Sequence, residues 1–301
     1  MLLALAPRPE ASTLQPAPAR IEAATRVVDR SECFPDYELT DADRARSEDL
    51  LRQMLDGEGL YTLVGGLKPV SGRNLFKLSF IPDYPDTPTA QFVAAAADLQ
   101  RLVSVWRCGP DLGAYVFADP RRASLSDTYL YNLPAYRRTI TAHGAYFTRL
   151  GLTPAAHPAE AIIAIRQGEE SNRGMGYLFG YPDYAVDWYE DVHVPELKAR
   201  GEWPDGDVVE IPTFEKMVWK RTNTEHFRFS WAVPKGHVEN DADRAIRATA
   251  ARIFSAYTAR RARYIGPGKA GAFALLRNWF CGEDARCDPA RAISIPPIPK
   301  E

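Results

Sequence analysis

The chain has 301 residues, 46% of them hydrophobic and 25% charged, and a formal net charge of −2. This balance fits a globular protein with a large core and argues against a nucleic-acid binder working through a dominant basic surface. No run approaches the roughly 18 apolar residues of a membrane-spanning helix, and 24 prolines imply many rigid connections.

In chain order, MLLALAP is followed by the proline- and alanine-rich PRPEASTLQPAPAR. Two readings are open for this start: the end of a secretory signal core without its basic flank, or an unstructured tail. Residues 1–30 are expected to be a disordered tether or a signal remnant, and residues 31–301 a single α+β domain. Thr40 can cap a helix whose first turn holds Asp41 and Asp43 and whose apolar face holds Leu50, Leu51, Met54 and Leu55, with Gly57 and Gly59 as its stop. LYTLV (60–64) and NLFKLSF (74–80) have strand character, which makes GGLKPVSGR (65–73) a connection between two strands.

Residues 88–106 and 157–168 are expected to be helices, with a strand at 113–118. Asn132 begins another helix, on which Tyr136, Ile140, His143, Phe147 and Leu150 form one stripe. Pro182 and Pro195 bracket a short aromatic helix. From Val208 the period changes to alternation, giving two or three antiparallel strands that end at HFRFSWAVP. Asn240 then caps a long helix that Gly266 ends. Helices and strands alternate without a βαβ rhythm. The fold class is therefore α+β, with a mixed or antiparallel sheet and several packed amphipathic helices.

The loop 65–73 is neither a phosphate-binding loop of the G-x-x-x-x-G-K-[ST] type nor a dinucleotide-binding turn. Its glycines can bring backbone N–H groups to an anion, and Lys68 adds charge. Lys68 and Ser71 are also a possible base and nucleophile. The plain alternative is a wide turn with Gly65 and Gly66 at positive φ. In RQGEESNRGMGYLFGYP (166–182), Glu169, Glu170, Asn172 and Arg173 lie beside glycines and aromatics. This reads equally as a pocket wall or as a polar helix end followed by core.

His226 and His237 stand at the two ends of one expected strand, about 30 Å apart, too far to share a metal. His143 reads as a core residue, His157 as a cap, and His193 as the end of a helix. The arginines from Arg244 to Arg263 scatter around their helix and read as a solvated face. Cys281 and Cys287 enclose a loop that a disulfide can close; Cys33 and Cys108 are isolated, and three pairings are possible. No CxxC, GxSxG or HExxH is present.

The residues point to an exported pocket protein, with walls from 65–73 and 169–181, that binds or turns over a small polar or anionic molecule. Lys68, Ser71, Arg73, Glu169 and Arg173 are its expected ligand-binding residues. No metal, cofactor, nucleic acid or transmembrane segment is expected. The compartment is periplasmic or extracellular, with cytoplasmic as the alternative. The rival reading is a non-catalytic cell-envelope protein acting through a protein partner, which exposure of Trp188, Trp203 and Trp219 would favour.

Overall fold

The computed structural model describes residues 27–77, 90–118, 125–168, 170–201, 206–214 and 229–288. Most of the expected tether (1–26) and residues 215–228, within the expected antiparallel strands after Val208, lie outside them. The described chain takes up the fold slightly before residue 31: Val28 is buried, and β1 (Val28–Asp29) pairs antiparallel with β7 (Arg286–Cys287).

The architecture is α+β. Among the described residues the strands form three small antiparallel sheets: β1 with β7; β2 (Val70–Lys77), β4 (Leu125–Asn132) and β3 (Leu112–Ala118) with β4 central; and β5 (Gly206–Ile211) with β6 (Phe229–Pro234). Along β6, Phe229, Trp231 and Val233 are buried while Ser230 and Ala232 are half-buried, the alternation read from the sequence.

Helices surround these sheets. α1 (Asp41–Asp56) begins at Thr40, whose hydroxyl accepts from the Asp43 N–H, as its sequence dictates. LYTLV is not a strand. Leu60–Leu63 forms the short helix α2, because the N–H groups of Leu63 and Val64 bond back to Gly59 and Leu60. The loop 65–69 therefore links a helical turn to a strand, and Val70 to Arg73 already belong to β2. α3 (Ala90–Val103) follows. The expected single helix from Asn132 breaks at His143 into α4 (Leu133–Ala142) and α5 (Gly144–Arg149). α6 (Pro158–Gln167) starts at the His157 cap, where the ring accepts the Ala159 N–H.

α7 (Ser171–Leu178), α8 (Asp183–Trp188) and α9 (Val194–Arg200) come next, with a π-helical turn, Tyr189–His193, between the last two. Pro195 does not end this helix; it sits in the first turn of α9. α10 (Asp241–Tyr264) and α11 (Gly271–Cys281) are the last helices among the described residues. Among the α10 arginines, Arg261 grips buried Asp56 at 2.6 and 2.8 Å, and Arg260 lies over Trp279. The solvated-face reading does not hold for these two.

Among the described residues, two apolar clusters form the core. One gathers α1, α2, α10, α11 and the inner face of β6, and the other gathers α4 to α7. Tyr181 packs against both. Two disulfides, Cys33–Cys108 and Cys281–Cys287, close the corner where β1 meets β7, and all four cysteines are buried. No helix among the described residues is long and apolar enough to cross a membrane.

Candidate functional site

Gly65 and Gly66 take positive φ (81° and 55°), so the chain reverses sharply out of α2, and a side chain at 65 would collide with Ile253. The reversal turns Lys68 inward. Its ammonium is fully buried, 2.5 Å from the Glu58 carboxylate, over the rings of Phe229 (4.7 Å), Phe179 (5.0 Å) and Tyr181 (5.6 Å). Loss of water lowers the proton affinity of Lys68, and the Glu58 charge opposes that shift.

Ser71 is also buried. Its hydroxyl meets Thr62 Oγ1 at 2.6 Å and donates to the Glu58 carbonyl at 3.2 Å. Lys68 and Ser71 thus engage different groups of Glu58, one the carboxylate and the other the carbonyl. Arg73 lies in β2 opposite Thr128, and Glu169 is outside the described residues. Arg173, in α7, is spent on carboxylates: Asp187 and Asp191 at 2.5 Å and Glu170 at 3.4 Å. It lines a separate cleft with His143, whose ring stacks on Tyr177 at 3.7 Å.

The 65–69 loop and the 170–181 segment do meet. Gly180, at φ 73°, passes so close to Leu67 that a Cβ would stand 2.5 Å from its carbonyl oxygen. They meet as packed layers, with the loop behind the wall. In front of the wall is a cavity of about 720 Å³. Phe179, Tyr181 and Met175 line one side, Trp231 and Ala232 of β6 another, and Tyr189 and His193 a third. Asn172 and Ser230 add polar groups.

The third side depends on the π turn. Pro195 has no N–H, and its ring crowds the carbonyl of Asp191, so an α-helical ladder cannot run through. The turn widens instead, and the Val194 N–H bonds to the Tyr189 carbonyl five residues back. Tyr189 and His193 then stack at 4.9 Å, and Trp188 flanks the imidazole at 5.1 Å. His193 is 6% exposed, and burial pushes its pKa down, with Glu196 a smaller opposing influence. Burial thus favours the neutral form of the ring, which carries one donor and one acceptor nitrogen.

Trp231 is positioned from behind, because its indole N–H donates to the Tyr184 hydroxyl at 3.2 Å. Trp188 is half-buried; Trp203 and Trp219 lie outside the described residues. Cys33, Cys281 and Cys287 are the group among the described residues whose atoms converge tightly enough for a metal, and their sulfurs are consumed in disulfides.

Reading the sequence missed His193, Tyr189 and Trp231 as wall residues. The available signal was a proline four residues after Asp191 inside an aromatic helical run. Compared with known protein families, curated proteins and solved structures, the chain matches none.

Proposed function

We propose that this chain is a small-molecule-binding protein whose site is the aromatic cavity between α7, the π turn and β6. One observation carries the reading: a cavity of about 720 Å³, the size of a drug-like ligand site, with aromatic walls and few polar groups. The wall chemistry suits a flat, mostly apolar molecule bearing a hydrogen-bonding group for Asn172. A strongly anionic ligand fits less well, since Lys68 and Arg173 are already paired with carboxylates. The two disulfides support a site of action in an oxidising compartment, periplasmic or extracellular.

The test is a titration with the neutral fluorophore N-phenyl-1-naphthylamine, read by its emission and by energy transfer from tryptophan. Saturable one-site binding is expected. Ala232→Phe, which fills the cavity from β6, should weaken it at least about tenfold, or roughly 1.4 kcal/mol. Absence of saturation, or equal binding by the variant, overturns the reading.

A further inference from the structure

On the far side of Trp231 lies a second polar assembly. Asp243 is the third residue of α10 and part of its cap: the Asn240 side chain accepts the Asp243 N–H, and Asp243 Oδ2 accepts the Asn240 N–H at 3.0 Å. The same carboxylate, fully buried, takes the Tyr184 hydroxyl on Oδ1 at 2.6 Å and meets His237 Nε2 on Oδ2 at 2.7 Å. Burial opposes its charge, but the hydrogen bonds from Tyr184, His237 and Asn240 outweigh burial and hold its pKa below the usual carboxylate value. The His237 ring stacks on Tyr184 at 5.1 Å and 16°, with Nε2 3.1 Å from the phenol oxygen.

Counting protons fixes the tautomer. Tyr184 has one hydroxyl proton, and it goes to Asp243. Its oxygen therefore accepts from Trp231 and can only accept from His237. The Asp243 carboxylate has no proton to give, so Nε2 must carry the hydrogen. In the neutral ring Nδ1 is then the lone-pair nitrogen. With Nε2 committed inward, Nδ1 is the nitrogen left for the open cleft of about 300 Å³ that His237 lines with Asp207, Glu239 and Arg247. A buried carboxylate that orients an imidazole and leaves its second nitrogen for an open cleft is an arrangement that general bases use.

We propose that this cleft is a hydrolytic site for small acyl esters, with His237 as the general base. Nδ1 takes a proton as a water oxygen bonds to the ester carbonyl carbon. The tetrahedral intermediate then expels the alkoxide, which recovers that proton from Nδ1. Ester and water become acid and alcohol, and no oxidant or metal enters. Arg247, held at Nε by Glu239 at 2.5 Å, puts a half-exposed guanidinium on the same cleft, toward which the developing oxyanion is drawn. Asp243 and Tyr184 are positioning residues.

The test uses the full chain with p-nitrophenyl acetate, against 4-methylimidazole at equal imidazole concentration. Wild type should exceed the free base by about 100-fold or more, as positioned general bases do. His237→Gln, whose amide can still donate to Asp243, should lose that excess. Tyr184→Phe should retain part of it, with a shifted pH–rate profile. A wild-type rate equal to the free base overturns the proposal, and so does an unchanged His237→Gln rate. Accumulated acetyl-His237 in a mass spectrum would overturn the water-attack step. If the glutamine variant does not fold, diethylpyrocarbonate labelling of wild type decides. Activity must fall in step with carbethoxylation of His237, and activity that survives full labelling there refutes the assignment.

Discussion

At the scale of single residues, Lys68 exchanges its hydration shell for one carboxylate and three ring faces. Lys68→Met strands the Glu58 charge in a largely desolvated place and should cost about 3–5 kcal/mol; adding Glu58→Gln should recover most of that. Denaturant unfolding of both variants checks it, and equal losses would refute it. The cavity-lining His193 predicts a pH dependence. Burial lowers its pKa in the folded chain, and it does the same for His143, where the charges of Asp183 and Asp187 offset it in part. Between that lowered value and about 6.5, the unfolded chain binds more protons than the folded one. Stability should therefore be full above about pH 6.5 and fall as the pH drops through the folded value. Urea midpoints at pH 7.5 and 5.5 measure the loss, and His193→Gln should reduce it.

At the scale of elements, the π turn and the Gly180 crossing shape the cavity. Pro195→Ala restores a backbone donor and removes the clash that keeps the turn wide. The helix should then run on through 189–200 with equal or higher thermal stability. Tyr189 and His193 should leave the wall, weakening N-phenyl-1-naphthylamine by about tenfold. Gly180→Ala, forced to φ 73° against the Leu67 carbonyl, should cost about 1–3 kcal/mol. What the sequence revealed, and what it hid, follows the same division. Caps at Thr40, His157 and Asn240, and the alternation along β6, are local chemistry, and each was legible. LYTLV misled because a five-residue, mostly apolar run is too short to show a period of its own; the turn at Gly57–Gly59 and the packing around Leu60 decided it. β4 was missed because its central place in the sheet depends on β2, a distant segment, although its other partner, β3, directly precedes it in the chain. The cavity stayed hidden for the same reason: α7 and β6 meet only in three dimensions.

Across the whole molecule, the disulfides are unequal partners. Cys33–Cys108 spans 75 residues and Cys281–Cys287 spans 6. In the chain-entropy account the first contributes about 4–5 kcal/mol and the second about 2. Replacing the first pair by serines should therefore lower the unfolding free energy about twice as much as replacing the second, read from denaturant curves at neutral pH. The corner these bonds close also has a mechanical meaning. β1 and β7 place Val28 beside Cys287, so a tension applied between those two points first parts a two-residue ladder. Beyond that rupture the cross-links withhold their loops from extension. In a single-molecule pull, the oxidised chain should reach its limit about 280 Å short of the reduced one, at roughly 3.5 Å for each residue withheld.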